Sequence, residues 1–469
     1  MRYTTHMSDA HGGGSALPLF GLVEGQLHGA HGGGIHLQGR PIIIGFIVIL
    51  FAFLIISPAQ TAANMTFAAF TAPLWLTPIM VRFAILRFLY FRRAENIAKQ
   101  DHVLLELRLP RDTMKTPVAM EAVLSAIHLG PGETNWYKKL MGGVRPWYSL
   151  EIVSLGGRVH FYVHCREGFR RAVESAFYAQ FPNMEIVEAV DYSRLVDPAH
   201  DPYMMTGFEY AHARSDAWPI KTYVDFGLDK PQKPEEQTDP LAQIIELLGS
   251  LGPNEQFWLQ LVIRTNKNEK YRNKKKPDGS LYTFSDEANK EVEAVRAATV
   301  RKTTRVDPVT GAATEMESFP NPTKGEQEGI WAIQRKQGKL TFDVGIRAIY
   351  SAPASDYKGV MGAYMVGLFK PFSYDAKGNT LALQDRFSAR FGNYPWDDPG
   401  GHHSDHARHE IAEYYRRRAY FYDPYRGDWS IMSTEEIATL FHIPSSTIAT
   451  PGLPRIGSST GGTPVNLPT

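Results

Sequence analysis

Residues 148–165 read YSLEIVSLGGRVHFYVHC, which is two strand-like runs separated by a pair of glycines. The runs are Tyr148–Leu155 and Arg158–Cys165, and both have the composition of β-strands. Gly156 and Gly157 between them suit a two-residue turn, because such turns need positive φ angles that glycine adopts at no steric cost. The stretch therefore predicts an antiparallel β-hairpin.

The segments on either side of this hairpin each add a strand and a helix. Upstream, His102–Leu109 alternates apolar and polar residues, and Thr116 with Pro117 opens a helix that has an apolar stripe. Downstream, a second helix is followed by a strand at Met184–Val190. The order β-α-β-β-α-β is the ferredoxin-like split β-α-β plan, and we assign it to residues 101–197.

A second α/β unit with inserts is predicted over residues 215–372. Ile220–Phe226 is interpreted as its first strand, and Phe257–Ile263 as a nearly all-apolar strand that is buried on both faces. Helices and a further strand follow in an order that fits another ferredoxin-like unit. The predicted fold class is therefore α+β, with tandem ferredoxin-like domains on the cytoplasmic side.

The C-terminal residues 373–469 have an irregular pattern. One helix is predicted from about Ser404 to Tyr420, and a short helix follows a capping box made by Ser433 and Glu436. The end is rich in Ser, Thr, Gly and Pro, which predicts an extended tail.

The N-terminal part of the chain contains two apolar segments with no charged side chain between Ile42 and Val81. Charge is costly in hydrocarbon, so this window favours a lipid bilayer. We predict a transmembrane helical hairpin over residues 41–93, with Ser57–Asn64 as its loop. Residues 1–40, rich in Gly and His, should form a flexible tail.

Four arginines in Arg82–Arg93 follow the second apolar segment. By the positive-inside rule they indicate a cell-membrane protein whose bulk is cytoplasmic. Pro73 and Pro78 should kink the second helix. Two alternatives stay open: a signal peptide cut near Ala59 or Ala63, and a single span with the arginine-rich segment lying on the membrane surface.

Composition limits the classes of function. The chain has 469 residues, a net charge of +1 and 21% charged residues, which argues against a protein whose whole surface coats nucleic acid. Its single cysteine, Cys165, excludes an internal disulfide and fits a reducing compartment. In a predicted strand, this cysteine is most simply a small core residue.

The sequence lacks the motifs that usually mark catalysis. It contains no G-x-x-x-x-G-K-[ST] nucleotide loop, no G-x-G-x-x-G opening a helix after a strand, no G-x-S-x-G and no C-x-x-C. The nearest approach, Gly338-Lys339, is followed by Leu340 and lacks the upstream glycine. We therefore predict that the chain is not an enzyme and needs no cofactor.

A histidine cluster near residue 402 has metal-like spacing. In a helix, His402, His406 and His409 would share one face, with Glu410 beside them. The alternative is a solvated first turn, in which Asp405 suits the helix dipole. Because no cysteine and no obvious distant carboxylate completes a site, we predict no bound metal and keep the three histidines as weak candidates.

Two basic patches are candidates for contact with nucleic acid or lipid phosphate. The first is the lysine-rich segment 267–276. The second, which we call the arginine patch, mixes arginines with aromatic rings, as stacking surfaces for single strands do. Its candidate residues are Arg416, Arg417, Arg418, Tyr420, Tyr422 and Arg426. The alternatives are a solvated loop for the first patch and tyrosines that pack a helix onto the domain for the second.

Several stretches resemble a bacterial family of type IV secretory system conjugative DNA transfer proteins, which are coupling-protein-like. The matching stretches include LLELRLP (104–110), KTYVDFGLDK (221–230), FWLQLVIR (257–264), FDVGIRAIY (342–350) and STEEIATLFHIP (433–444). The resemblance covers about residues 100–455 and implies a membrane anchor and an α/β region ahead of a hexameric P-loop ATPase. The chain stops at Thr469, about where that ATPase would begin, so no catalytic residue carries over.

These observations lead to one expected function and two rivals. We expect a membrane-anchored, non-catalytic component of a conjugative DNA-transfer or type IV secretion-like machine. Its partners would be the lipid bilayer, a separately encoded motor ATPase, single-stranded DNA and further copies of itself. The rivals are a membrane scaffold unrelated to DNA, and a histidine-dependent metalloprotein.

Overall fold

The computed structural model describes most of the chain between residues 53 and 456. The described residues are 53, 55–110, 115–130, 135–195, 197–198, 200, 202–230, 238–267, 271–272, 274–300, 302–306, 313–374, 378–384, 402–422, 425–445 and 452–456. The tail predicted for residues 1–40 and the first apolar helix lie almost wholly outside them.

Helices and strands alternate along the described chain. The helices are α1 (Pro58–Ala98), α2 (Pro117–Ala126), α3 (Trp136–Leu140), α4 (Arg170–Gln180), α5 (Leu241–Gly249), α6 (Phe284–Ala298), α7 (Lys324–Gln337), α8 (Val360–Val366), α9 (His402–Arg416) and α10 (Thr434–Leu440). The strands are β1 (His102–Pro110), β2 (Trp147–Leu155), β3 (Arg158–Arg166), β4 (Glu185–Glu188), β5 (Tyr203–His212), β6 (Gln256–Thr265), β7 (Lys302–Val306), β8 (Ala313–Glu317), β9 (Thr341–Pro353), β10 (Leu381–Leu383), β11 (Ser430–Ser433) and β12 (Arg455–Ile456).

One ten-stranded sheet organises the fold, and the predicted α+β class is confirmed. The strand order is β10-β5-β9-β6-β2-β3-β1-β12, with β11 paired to β9 and β4 paired to β1. All of these pairs are antiparallel except β1 with β12. Strands β7 and β8 form a separate two-stranded sheet.

The strand order repeats outward from the centre of the sheet. On one side it runs β2-β3-β1-β4, and on the other β6-β9-β5-β10, so each half has the order second, third, first, fourth strand. The halves meet through their second strands, from Trp147 opposite Arg264 to Leu155 opposite Gln256. A continuous hydrogen-bonded sheet therefore joins the two α/β units that the sequence predicts.

The hairpin at Gly156 and Gly157 is confirmed. Their φ angles are +61° and +80°, the left-handed region that a tight turn between these strands requires. A Cβ on Gly156 would lie 2.6 Å from the carbonyl oxygen of Pro253, and one on Gly157 would lie 2.6 Å from that of Leu251. Glycine thus allows the positive φ angles of the turn and also leaves room for the loop that precedes β6.

The strand predicted at Ile220–Phe226 is wrong, because this segment forms consecutive turns. Asp225 accepts a hydrogen bond from the backbone N–H of Thr222 at 2.9 Å, and Gly227 has a φ of +75°. Short polar side chains and glycine favour turns in this way. The first strand of the second half is β5 instead, which lies ahead of the predicted boundary at residue 215.

Both faces of the sheet are covered. One face packs on α2, α4, α5, α8 and α10 through a large apolar core. The other face packs on α9 through a smaller cluster that includes Val153, Trp258, Ile349, Ile411 and Tyr415. The prediction that Phe257–Ile263 is buried on both faces is confirmed by β6. Helix α9 therefore lies on an otherwise lightly covered face of the central strands.

Helix α1 replaces the loop predicted at Ser57–Asn64. Pro58 occupies the first helical position, where its missing N–H costs nothing, and the following residues continue as helix. The predicted kink is confirmed, since the axis bends by 50° between Leu74 and Leu76. Among the described residues no single helix is both long and apolar enough to cross a membrane, but the two arms of this bent helix together meet the test of length and composition.

The chain divides into two compact units. The first, which we call the helical unit, comprises residues up to Lys99 together with Glu133–Val144, and so contains α1 and α3. The second, the sheet unit, comprises Gln100–Gly132 and Arg145–Thr469. Both predicted soluble domains and the predicted C-terminal region 373–469 belong to the sheet unit.

Candidate functional site on helix α9

Four polar side chains lie in one line across the sheet, on the face that α9 covers. Glu209 on β5 faces Arg347 on β9, and Arg347 faces Gln260 on β6. Gln260 in turn faces Glu151 on β2. Directly opposite residues project from the same face of a sheet, and all four are buried. We call these four residues the polar row.

The polar row is paired internally. Arg347 Nη2 donates to Glu209 Oε1 at 2.7 Å, and Arg347 Nη1 donates to Gln260 Oε1 at 3.3 Å. Gln260 Nε2 donates to Glu151 Oε1 at 3.1 Å. Buried charge is tolerated when it is paired and hydrogen-bonded, as it is here.

The same row holds the C-terminal end of α9. Arg347 Nη1 donates to the main-chain oxygens of Tyr414 at 2.8 Å and Ala419 at 3.1 Å. Gln260 Nε2 donates to the main-chain oxygen of Tyr415 at 3.1 Å. The last carbonyls of a helix lack intrahelical partners and carry negative potential, so a cation beside them is favourable. The sheet therefore fixes where α9 ends.

The chain leaves α9 through a Schellman-type turn. The N–H of Arg418 donates to the oxygen of Tyr415 at 3.0 Å, and the N–H of Ala419 donates to that of Tyr414 at 3.3 Å. Arg418 has a φ of +48°, a left-handed conformation that glycine usually takes at this position. A non-glycine residue in this conformation raises the free energy of the folded backbone, and contacts of its side chain have to offset that increase.

Arg418 forms two ion pairs, one with the buried Glu151 and one with the half-buried Asp191. Its Nε lies 2.9 Å from Glu151 Oε1, and its Nη1 lies 2.6 Å from Asp191 Oδ2. Burial alone lowers the pKa of Arg418, but Glu151 and Asp191 outweigh burial, so the pKa is raised and the guanidinium stays charged. Tyr192 completes the cluster by donating its hydroxyl to Glu151 Oε2 at 2.7 Å.

A cleft of about 400 Å³ opens on the outer side of α9. Among the residues lining it are Asp197, His200, His406, His409, Glu410 and Arg416. We call it the histidine cleft. It brings two histidines from α9 together with a histidine and an aspartate from the loop ahead of β5.

Asp197 links that loop to α9. Its Oδ2 lies 2.6 Å from Nδ1 of His200, and its Oδ1 lies 2.8 Å from Nη2 of Arg416. The rings of His200 and His409 have centroids 4.5 Å apart. The cleft is therefore a mixed site in which imidazoles, carboxylates and a guanidinium are close enough together to bind a polar or charged group.

The predicted metal candidates are partly brought together. His406 and His409 both line the histidine cleft, whereas the side chain of His402 lies outside the described residues. Among the side chains that the structure describes, no group of three or more His, Cys, Asp or Glu is arranged to hold a metal ion. The absence of a bound metal stays a prediction.

Two members of the arginine patch are not on the surface and present no side chain to a ligand there, while nucleic-acid binding by the patch stays a prediction. Arg418 is buried in the ion pairs described above, and Tyr420 is buried as well. The ring of Tyr420 occupies space left by two glycines. A Cβ on Gly345 would lie 2.3 Å from that ring, and one on Gly427 would lie 2.5 Å from it.

The other members of the patch lie at or near the surface. Arg416 is half-buried and points into the histidine cleft, and Tyr422 is half-buried. Arg417 and Arg426 are exposed. Their guanidinium groups lie 5.1 Å from the ring centroids of Tyr425 and Trp429, respectively. The surface that the patch presents to a ligand is therefore smaller than its sequence indicates.

Basic side chains of the lysine-rich segment 267–276 form ion pairs with acidic residues from other parts of the fold. Arg272 pairs with Asp216 at 3.0 Å, and Lys274 pairs with Glu287 at 2.9 Å. Lys276 pairs with Asp286 at 3.0 Å. Much of the positive charge that suggested a phosphate contact is thus neutralised within the fold.

Sequence reasoning missed His200 and Asp197. They lie about two hundred residues before α9, in a loop with no local motif, and only the fold brings them to the cleft. The polar row was also missed, although one signal was present. Charged or amide residues interrupt three otherwise apolar strands, at Glu151, Gln260 and Arg347.

Together these features define an α+β chain in which two half-sheets are fused edge to edge and a charged row anchors one helix. A family model described as a domain of unknown function (DUF8128) matches residues 88–365, which is more than half of the chain. The chain therefore belongs to this family. The polar row lies inside the matched residues, and α9 lies outside them. No curated protein and no solved structure matches the chain.

Proposed function

We propose that this chain is a membrane-anchored, non-catalytic component of a conjugative DNA-transfer or type IV secretion-like machine, in which it docks a separately encoded motor ATPase. The observation that carries membrane anchoring is the surface of α1. Phe67, Phe70 and Leu74 are exposed on consecutive turns, together with further large apolar side chains along the helix. A helix that is apolar on all sides needs a non-aqueous environment.

The sheet unit supports a docking role. Its halves have the strand order of two ferredoxin-like units, and we propose that they are such units joined through their second strands. This arrangement makes one rigid platform, because β2 and β6 are buried over nearly their whole length. With the bulk of the chain on the cytoplasmic side, the platform would present its surface to soluble partners.

The motor partner is inferred from the resemblance to coupling-protein-like families and from the sequence. The 469 residues contain no nucleotide-binding loop, and we propose that ATP hydrolysis in such a machine is carried out by a separately encoded partner. Further copies of this chain would surround such a motor if it is hexameric.

Site-specific photo-crosslinking in intact cells tests this proposal. A photoreactive residue replaces Trp331, whose side chain is 69% exposed on α7, and the matched control replaces Trp258, which is fully buried. We expect a P-loop ATPase to be crosslinked from position 331 and not from position 258. If no ATPase is recovered from position 331, or from further exposed sites on the sheet unit, ATPase docking is wrong.

A membrane scaffold unrelated to DNA is the second candidate, and the burial of Arg418 and Tyr420 favours it. Salt titration of single-stranded DNA binding separates the two. If DNA is contacted through Arg417 and Arg426, replacing both by alanine should weaken binding and reduce the salt slope by about 1.4, since each phosphate contact contributes roughly 0.7. The scaffold predicts no measurable binding at any salt concentration.

A matched control removes the same charge elsewhere. Lys290 and Arg296 are exposed on α6, away from the arginine patch in sequence. The Lys290→Ala/Arg296→Ala variant should bind DNA as the parent does. An equal loss in both double variants would indicate that binding follows net charge rather than this patch.

A further inference from the structure

The helical unit carries a short aromatic and basic segment beside the arginine-rich end of α1. Helix α3 is only five residues long, and Asn135 caps it by accepting a hydrogen bond from the N–H of Lys138 at 2.8 Å. Trp136 is 75% exposed and Tyr137 is 56% exposed. A helix this short has little stability of its own. Two of its five side chains are aromatic rings that are exposed to solvent.

The segment is packed directly against α1. Gly142, with a φ of +80°, approaches the α1 backbone so closely that a Cβ would lie 2.3 Å from the carbonyl oxygen of Arg92. Only glycine permits this contact, and it holds α3 next to the last turns of α1. The exposed rings of Trp136 and Tyr137 therefore belong to the same surface unit as the end of the apolar helix.

The charges of this surface are mostly of one sign. The stretches 80–99 and 135–144 contain seven basic residues and one acidic residue, Glu95, which pairs with Arg92 at 2.8 Å and with Lys99 at 2.6 Å. The basic residues are Arg82, Arg87, Arg92, Arg93, Lys99, Lys138 and Lys139. Large amphipathic rings beside clustered cations are typical of protein segments in the headgroup layer of a bilayer.

We infer that the segment Trp136–Met141 binds anionic phospholipid and lies in the headgroup layer beside α1. The rings of Trp136 and Tyr137 would sit at the boundary between hydrocarbon and headgroups, and Lys138 and Lys139 would contact lipid phosphates. The bilayer is the occupant that fits both properties, because it offers apolar depth and negative charge together. The inference rests on the proposed membrane anchoring of α1.

The test uses the full chain in vesicles and a fluorophore at a single introduced cysteine. Met141→Cys places an environment-sensitive label at the end of α3 while leaving both rings in place. The native Cys165 does not compete, since it is buried and burial raises the pKa of its thiol to about 12. Phe70→Cys reports on α1, and Trp331→Cys reports on an exposed site of the sheet unit.

We expect the label at 141 to shift to shorter wavelength and to lose quenching by aqueous iodide in vesicles that contain phosphatidylglycerol. Both effects should be smaller in pure phosphatidylcholine. The Lys138→Ala/Lys139→Ala variant should lower the ratio of buried to exposed label by about fivefold for each lysine. Lys290→Ala/Arg296→Ala should leave that ratio unchanged.

The outcomes separate the two claims. If the label at 70 is shielded by lipid while the label at 141 is as open to iodide as the label at 331, the membrane anchor stands and the lipid-binding segment is wrong. If shielding at 141 is equal in both kinds of vesicle and does not depend on the lysines, anionic lipid recognition is wrong. If the label at 70 is open to iodide, membrane anchoring is wrong, and the inference falls with it.

Discussion

Arg417 and Arg418 are adjacent in the chain, yet they belong to opposite regions of the α9 end. Arg418 is buried between Glu151 and Asp191 on the inner side, next to the polar row. Arg417 is exposed on the outer side, where it pairs with Glu413 across one helical turn. Identical residues in one basic run therefore have different roles, because the backbone geometry at each position decides whether the side chain is buried or exposed. The Schellman-type turn reverses the chain between them and directs the second arginine into the fold.

The largest effect is expected on the inner side. Arg418→Ala leaves the buried carboxylate of Glu151 and the half-buried carboxylate of Asp191 without their cation, and breaking a buried ion pair typically costs about 3 to 5 kcal/mol. We expect the free energy of unfolding, measured by denaturant titration of the full chain in detergent, to fall by that amount. Arg417→Ala, the matched control, should change it by less than about 0.5 kcal/mol.

A second variant separates the backbone cost from the ion pairs. Arg418→Gly also removes the cation but relieves the left-handed φ, so it should be less destabilising than Arg418→Ala by about 1 kcal/mol. If Arg417→Ala and Arg418→Ala lower the free energy of unfolding equally, the claim that only Arg418 stabilises the fold is wrong.

The next effect concerns the ring packed on the inner side. Gly345→Ala would drive a methyl group into Tyr420, whose nearest ring atom would lie 2.3 Å from the new Cβ, and overpacking of this kind costs about 1 to 3 kcal/mol. The same denaturant titration measures it. Gly359→Ala is the control, because its Cβ would meet no atom within 4 Å. A neutral Gly345→Ala would mean that Tyr420 is free to move outward, as a surface role for it requires.

Local signals in the sequence predicted much of the sheet. The hairpin at Gly156 and Gly157, the buried strand β6 and the capping box of Ser433 with Glu436 all appear where they were expected. Each depends on neighbouring residues only, such as paired glycines or an apolar run. The strand predicted at Ile220–Phe226 is wrong, because apolar content alone does not distinguish a strand from consecutive turns.

The candidate site was harder to predict because it depends on contacts between distant residues. Glu151 and Arg418 are 267 positions apart, and their ion pair has no local sequence signal. The sequence predicts a helix from about Ser404 to Tyr420, and the observed helix runs from His402 to Arg416. Which of its sides faces the sheet follows from the polar row and not from this local pattern. An arginine-rich run next to tyrosines is compatible with a nucleic-acid surface and with a buried anchor, and only the register of the strands decides between them.

The dependence of stability on acid pH should show a smaller effect, which is specific to the Asp191–Arg418 pair. Burial alone raises the pKa of Asp191, but hydrogen bonding and the charge of Arg418 outweigh burial, so the folded-state pKa is lowered below its usual value. Asp191 therefore contributes stability above its unfolded pKa, and this contribution is lost as the pH falls through the folded value. Arg418→Met removes the cation but leaves Asp191 half-buried. The folded-state pKa of Asp191 should therefore rise, and its contribution to stability should be lost at a higher pH than in the parent.

Unfolding titrations between about pH 5 and pH 2 measure this shift. Arg417→Met is the control, since it removes a charge of the same kind from the outer side. Acid profiles that coincide for the parent and Arg418→Met would show that Asp191 gains nothing from its partner.

The smallest effect is expected in the histidine cleft. His406→Ala/His409→Ala removes two exposed imidazoles from the outer side of α9, and we expect the free energy of unfolding to change by less than about 0.5 kcal/mol. Because no described group of ligating side chains has metal-binding geometry, a chelator should leave the unfolding midpoint of the parent unchanged. A resident metal would behave differently, since any ligand that binds only the folded state adds stability that the chelator removes. If the chelator lowers the unfolding midpoint of the parent but not that of the double variant, the outer side of α9 binds a metal ion, and the prediction of no bound metal is wrong.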